Sequence, residues 1–159
     1  MRKVISILIL FFSCLTVWAQ STKFDYIFHE AQRQKLAQNY AAAIDLFSYC
    51  CELNPESGVA LYELADLYRY VECDSLAIQA LEKASRLYPD NYWYKNRLVV
   101  LYLNDRRNED ALKQVEEMAQ QFPEKGEVLM MLLDLYGRNS DGKIVRVEIE
   151  FIPEEGDDE

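Results

Sequence analysis

The sequence has one histidine, His29, and few glycines or prolines, five and four in 159 residues. A single histidine cannot build a His-based metal cluster or a paired-histidine proton relay. No glycine-rich phosphate loop and no CxxC spacing is present. Phosphoryl, hydride and acyl transfer therefore lack their usual residues, and so does zinc binding. These absences predict a protein that is not an enzyme and that carries no cofactor and no metal.

The cysteines are too few and too irregularly placed to form a disulfide framework. Beyond residue 20 the sequence has three of them, Cys50, Cys51 and Cys73, and an odd number cannot pair completely. Cys51 and Cys73 fall at opposite ends of adjoining predicted helices, roughly 18 Å apart at 1.5 Å per residue. A disulfide needs Cα atoms within about 7 Å. We therefore expect free thiols that pack as small hydrophobic side chains.

Positive charge is scarce, with 17 lysines and arginines against 27 aspartates and glutamates, a net charge of −10. An acidic chain is repelled by phosphate backbones and by anionic lipid head groups. Nucleic acid is therefore excluded as a predicted partner. Half of the residues are hydrophobic, which is enough for a packed core and argues against a disordered chain.

Residues 1–19 have the features of a signal peptide. Arg2 and Lys3 precede an apolar run over 4–12, which is shorter than the roughly 20 residues of a membrane-spanning helix. Val17 and Ala19 then place a branched and a small residue at positions −3 and −1 of a cut before Gln20. This pattern predicts export, cleavage before Gln20 and a location in the periplasm or cell envelope.

A lipoprotein anchored at Cys14 is the alternative interpretation of the same segment. The small residue Ser13 directly precedes Cys14, as lipid attachment requires. However, Phe11 stands where leucine usually occurs in such a site. We therefore rank this route second.

Three of the four prolines, Pro55, Pro89 and Pro123, lie 34 residues apart. Small and large apolar residues recur twelve, eight and five positions before each proline: Ala43, Ala77 and Ala111; Phe47, Leu81 and Val115; Cys50, Ala84 and Met118. The first half of the second, third and fourth units repeats as Leu61-x-x-Leu64-Ala65-x-x-Tyr68, Leu98-Val99-x-x-Tyr102 and Leu129-x-x-Leu132-Leu133-x-x-Tyr136. A fixed period of this length indicates a stacked-repeat architecture.

This phased pattern resembles the tetratricopeptide repeat family from residue 24 to about residue 138. The chain departs from the family pattern at Glu30 and Gln34 in the first unit and at Lys95 in the third. The resemblance implies an all-α fold, a right-handed α-solenoid of about three and a half helix pairs. The predicted repeats span about 24–57, 58–91 and 92–125, with a partial repeat over 126–138, so the repeat domain covers 20–138.

The spacing of apolar residues predicts the same helices without reference to a family. Apolar residues at i, i+3, i+4 and i+7 indicate amphipathic helices, and each proline disfavours a helical residue before it. Asp74 and Asn108 are predicted N-caps of second helices. The predicted helices are 24–37, 41–54, 58–71, 74–88, 92–104, 108–122 and 126–138.

The chain changes character after Arg138. Asp141-Gly142 is typical of a turn, and residues 145–151 alternate apolar and polar with period 2, which favours a β-strand. An acidic end follows Pro153. We predict an irregular or β-like acidic tail over 139–159, and the pattern leaves open a native ending or a truncated longer solenoid.

The resemblance also implies a binding surface on the concave face, where the first helices of successive units line a groove. The corresponding residues are Phe28, Gln32, Lys35, Val59, Tyr62, Asp66, Arg69, Trp93, Asn96, Val100, Leu103, Glu127, Met130 and Asp134. Aromatic and arginine side chains among polar residues suit a protein or peptide partner. For Tyr62 and Trp93, packing between units is an equally weighted interpretation.

Two functions remain open at this point. The first is a protein-interaction scaffold in the cell envelope. The second is a structural segment of a larger solenoid or homo-oligomer. The helix predicted over 126–138 is apolar on nearly every side, and such a helix expects burial by several neighbours. We therefore expect self-association or partner docking at this helix.

Overall fold

The computed structural model describes residues 23–139, and these form seven α-helices. Their bounds agree with the predicted helices to within one residue. They are α1 (23–36), α2 (Tyr40–Leu53), α3 (Gly58–Tyr70), α4 (Asp74–Leu87), α5 (Tyr92–Asn104), α6 (Asn108–Gln121) and α7 (Gly126–Asn139). The predicted signal peptide over 1–19 and the predicted tail beyond residue 139 lie outside the described residues.

The helices pack in chain order, which makes the fold a solenoid. From α2 to α7 each helix packs against the next helix in the chain. Residues 23–139 contain no strand, so the predicted all-α class is confirmed. In this part of the chain no helix has the length and apolar character needed to cross a membrane.

The core follows the 34-residue period. The positions twelve, eight and five residues before the prolines are all fully buried, as predicted: Ala43, Ala77, Ala111, Phe47, Leu81, Val115, Cys50, Ala84 and Met118. Alanine at the first of these positions allows close approach of the paired helices, and the larger side chains fill the space between units. One unit alone could not bury this apolar face, whereas the stack buries it continuously.

The turn inside each unit has a geometry that the sequence did not reveal. One residue of each turn lies in the left-handed region with φ of 60°: Gln38, Glu72 and Arg106. In the α3–α4 turn, the Glu72 N–H donates to the Arg69 carbonyl at 3.1 Å and the Cys73 N–H donates to the Tyr68 carbonyl at 2.8 Å. This pair of bonds is the Schellman motif, which terminates a helix and satisfies its last carbonyl groups. The same two bonds recur in the other two turns.

The predicted N-caps Asp74 and Asn108 were wrong by one position. Both residues are the first residue of their helix, and the cap positions belong to Cys73 and Arg107, which make no side-chain cap hydrogen bond. The Schellman turn explains the shift, because its bonds carry the chain directly from one helix into the next. Side-chain caps occur instead where units join: Ser57 Oγ accepts from Ala60 N–H at 3.3 Å.

The three described cysteines are free thiols, as predicted. Cys50 is fully buried, Cys51 is half-buried and Cys73 is exposed. Burial, together with the neighbouring Cys51, raises the pKa of the Cys50 thiol to about 11. Cys50 therefore remains protonated at neutral pH and behaves as a core side chain.

Candidate partner-binding face

The first helices of the units, α1, α3 and α5, lie side by side. Asp66 on α3 demonstrates this directly, because it contacts Lys35 on α1 and Arg97 on α5. In a helix-pair superhelix the first helices line the concave surface. We call the surface formed by α1, α3, α5 and α7 the inner face, and the surface formed by α2, α4 and α6 the outer face.

A charge cluster lies at the middle of the inner face. Lys35 Nζ donates to Glu63 Oε2 at 2.7 Å and to Asp66 Oδ2 at 2.9 Å. Asp66 Oδ1 also accepts from Arg69 Nη2 at 3.3 Å and from Arg97 Nη2. Three cations thus surround two carboxylates, and the bonds connect three consecutive units.

The pKa values of the cluster follow from these bonds. Burial disfavours the ionised form of Asp66, but the hydrogen bonds from Lys35 and Arg97 outweigh burial and lower its pKa. Burial also disfavours the charged form of Lys35, and the hydrogen bonds to Glu63 and Asp66 outweigh it and raise that pKa. Both groups are therefore held in their charged forms at neutral pH. The Asp66 side chain is only 12% exposed, so these bonds are shielded from water more than a surface ion pair is.

Exposed apolar side chains lie on the same helices as the cluster. The four predicted groove residues of this kind have large exposed fractions: Val59 53%, Trp93 68%, Val100 39% and Met130 68%. Val59 and Trp93 occupy the same position in successive units. Apolar side chains that stay exposed on one face in this way are typical of an interaction surface.

The other predicted groove residues divide between the surface and the core. Phe28 packs edge to face on Phe47, with ring centroids 5.3 Å apart, and so contributes to the core of the first unit. Tyr62 packs near Tyr94 of the next unit, with centroids 5.7 Å apart. Gln32, Asn96 and Leu103 are half-buried, and Glu127 and Asp134 are exposed. The sequence left open whether Tyr62 and Trp93 pack between units or lie on the surface. Tyr62 packs between units, and Trp93 lies on the surface.

Sequence reasoning missed two members of the cluster, Glu63 and Arg97. Glu63 carried a usable signal, because it lies three residues before Asp66 and so shares its side of the helix. Arg97 follows the predicted groove residue Asn96 directly. Neither position in the sequence shows which residue of another helix the side chain contacts, because that contact depends on how the units rotate relative to each other.

The outer face carries a polar cleft of about 460 Å³ between α4, α5 and α6. Within it, Tyr102 Oη donates to Glu82 Oε1 at 2.9 Å, and Arg107 Nε donates to Asp110 Oδ2 at 2.6 Å. Burial, and then the bond to Glu82, raises the pKa of Tyr102 well above its usual range. The polar groups of four lining residues are thus paired with each other: Glu82, Tyr102, Arg107 and Asp110. Among residues 23–139, no group of three or more His, Cys, Asp or Glu side chains could hold a metal ion.

Comparisons with known proteins identify the fold. No protein-family model matches the sequence, and no curated protein matches it. Solved structures do match. The first tetratricopeptide domain of Spaghetti (RPAP3), bound to the HSP90 peptide SRMEEVD, superposes with a TM-score of 0.63 at 18% identity. The match covers 76% of this chain and 98% of that one.

Two further structures give the same result. The Yersinia enterocolitica type III secretion chaperone SycD, in complex with a peptide of the translocator YopD, has a TM-score of 0.64 at 15% identity, over 73% of this chain and 94% of that one. YrrB, described as a tetratricopeptide protein with an unusual peptide-binding site, has a TM-score of 0.63 at 18% identity, over 77% of this chain and 63% of that one. The chain therefore has the tetratricopeptide-repeat fold that the sequence predicted.

Proposed function

We propose that this protein is an interaction scaffold that binds a protein or an extended or helical peptide on its inner face, and that its role is binding rather than catalysis. One observation carries the proposal. Exposed Val59, Trp93, Val100 and Met130 flank a fixed charge cluster on consecutive first helices. The structural neighbours that are complexed with peptides support it by analogy of fold alone.

The cluster also indicates which groups would anchor the partner. Lys35, Arg69 and Arg97 are already bonded to carboxylates of this chain, so a ligand charge would have to compete with them. The exposed apolar side chains have no such competitor. A partner therefore gains most by placing apolar or aromatic side chains against Trp93 and Val100, which matches the usual composition of interface hot spots.

Peptides selected from a random library against the purified chain test this proposal. Trp93→Ala and Val100→Ala should each weaken binding of the selected peptides by about tenfold, the typical effect of removing a hot-spot side chain. Leu76→Ala is the matched control, because Leu76 is 43% exposed, close to the 39% of Val100, and lies on α4 of the outer face. Equal losses in all three variants, or none, would refute binding at the inner face.

We further propose that the protein acts in the cell envelope after export. The motivation is the Arg2-Lys3 pair, the apolar run over 4–12 and the small residue Ala19 before Gln20. Mass spectrometry of the N-terminus of protein recovered from the envelope tests this. A chain that begins at Gln20 is the expected result, an acylated Cys14 would establish the lipoprotein route, and an intact Met1 would contradict export by cleavage.

A further inference from the structure

The last described helix, α7, has one buried side and one open side. Val128 and Leu135 are 0% and 3% exposed. Their equivalents one unit earlier, Tyr94 and Leu101, are 9% and 1% exposed. This side of the helix faces the preceding unit, and α7 packs there against α6. The stack is therefore regular up to this point.

The other side of α7 is open. In the earlier units it faces the second helix of the same unit, which buries Ala65 and Val99 to 1% and 0% exposure. The equivalent residue Leu133 is 40% exposed. Leu129, Leu132 and Tyr136, on the same side, are half-buried. Within residues 23–139 no helix follows α7 to cover this side, which we call the open face.

The repeat itself defines the shape that fits the open face. In each complete unit the cover is a 14-residue helix with small residues at its closest approach, such as Ala77 and Ala84 around Leu81 in α4. Tyr136 Oη donates to Glu116 Oε1 at 2.5 Å just as Tyr102 Oη donates to Glu82 Oε1 one unit earlier. Both bonds join a first helix to the second helix of the preceding unit, so α7 is held against α6 as α5 is held against α4. An amphipathic helix of the same register is the complementary shape.

Such a helix could come from the chain's own residues 140–159, from a second copy of the chain or from another protein, and their charges distinguish these sources. Over residues 108–139, which comprise α6, α7 and their connection, the chain has seven carboxylates and three basic residues. Residues 140–159 have eight carboxylates against two basic residues, and residues 145–151 alternate apolar and polar with period 2 rather than at helical spacing. A second copy of the chain carries a net charge of −10. Both are repelled by an acidic surface, whereas a basic helix is attracted to it.

We infer that the open face of α7 is a second docking site, separate from the inner face, and that it takes a basic amphipathic helix from another protein. The helix binds α7 in the position that a second helix occupies beside α3 and α5. Its small and apolar residues pack on Leu129, Leu132 and Leu133, and its lysines or arginines face the surrounding carboxylates. This helix-in-groove mode uses i, i+3, i+4 and i+7 anchors.

Two synthetic peptides test the inference with the full chain. Both carry the apolar residues of α4 in their native register and a solvent-side staple, because free helices of this length are marginal in water. One has lysine at every exposed position and the other has glutamate. Fluorescence anisotropy at low salt should show the lysine peptide binding at least tenfold more tightly, with affinity that falls as salt is added.

Matched variants locate the binding. Leu133→Lys should weaken binding of the lysine peptide at least tenfold. Leu76→Lys adds the same charge at a residue of nearly equal exposure, 43% against 40%, and should change binding less than twofold. Circular dichroism melting should show that both variants remain folded, because both side chains are substantially exposed.

Three results would overturn the inference. Equal or absent binding of both peptides would show that the open face has no preference for a basic helix. A concentration-dependent dimer in sedimentation that Leu133→Lys dissociates would identify a second copy as the occupant. Binding that appears only after deletion of residues 140–159 would identify the chain's own tail.

Discussion

Gly58, the first residue of α3, is required by the close approach of two tyrosine rings. A Cβ atom at this position would lie 2.6 Å from Tyr88 Cε2 and 2.9 Å from Tyr94 Cε2. Tyr88 is held in place, because its hydroxyl donates to the Glu56 carbonyl at 2.7 Å and its ring packs edge to face on Tyr94. Gly58→Ala therefore forces one of the rings to move.

The cost can be estimated from what Tyr88 would lose. Because its side chain is 43% exposed, the ring can swing outward and give up its hydrogen bond, about 1 kcal/mol, and its edge contact, about 0.5–1.5 kcal/mol. Replacing glycine by alanine in a helix returns about 0.5–1 kcal/mol. The expected net destabilisation is about 0.5–2 kcal/mol, which lowers Tm by about 2–10 °C in a domain of this size.

Gly126 provides the matched control, because it is the first residue of α7 and lies two 34-residue units after Gly58. A Cβ atom there would meet nothing within 4 Å, so Gly126→Ala should be neutral or stabilising by up to about 1 kcal/mol. Urea unfolding followed by circular dichroism measures both variants. In a Tyr88→Ala background, Gly58→Ala should destabilise less, because only the contact with Tyr94 at 2.9 Å remains. If Gly58→Ala and Gly126→Ala had equal effects, the steric argument would be refuted.

Five further substitutions test other parts of the structure by the same unfolding assay. Glu72→Gly should stabilise the fold by about 0.5–1 kcal/mol, because φ is 60° there and glycine adopts that region without strain; no gain over Glu72→Ala would contradict this. Asp66→Asn should destabilise by about 1–2 kcal/mol through its lost charged hydrogen bonds. Folding lowers the Asp66 pKa, so the wild-type protein should lose this contribution to its free energy of unfolding as pH falls below about 4. If the free energy of unfolding of Asp66→Asn depended on pH in the same way, the assignment to Asp66 would be wrong. Ala77→Leu and Ala111→Leu should each destabilise the fold by about 1–3 kcal/mol, because they overpack fully buried sites. If both variants were as stable as the wild type, the 34-residue repeat assignment would be wrong. Lys95→Met should leave the stability unchanged or raise it by about 1 kcal/mol. Lys95 is only 7% exposed, and its Nζ donates to the uncharged Gln121 Oε1 at 2.6 Å, which compensates little of the cost of burying a cation. A loss of stability above about 1 kcal/mol would show that this hydrogen bond is needed.

The sequence predicted the helices and their core accurately because both depend on local periodicity. Burial repeats every 34 residues, so the residues at the positions of Ala77, Leu81 and Ala84 can be recognised by their size and spacing alone. The prolines add a second, independent marker of the helix ends. Such features require no knowledge of how helices are oriented to each other.

Features that depend on backbone conformation or on contacts between helices were not predicted. Glu72 adopts a left-handed conformation that glycine usually signals, so the Schellman geometry of its turn was not predicted and the predicted cap at Asp74 was wrong by one residue. The bond between Lys35 and Glu63 joins residues 28 positions apart, and no local pattern encodes it. The surface status of Trp93 likewise depends on the rotation of α5 within the stack.

The most direct test of the central claim is hydrogen exchange of the chain with and without a selected peptide. Binding at the inner face should slow exchange in α1, α3 and α5, with the largest effect near Asp66, Trp93 and Val100. The amides of α2, α4 and α6 should change less, apart from a uniform gain from ligand-linked stability. Protection confined to α2, α4 and α6, with none in α1, α3 and α5, would contradict the account of the inner face as the binding surface.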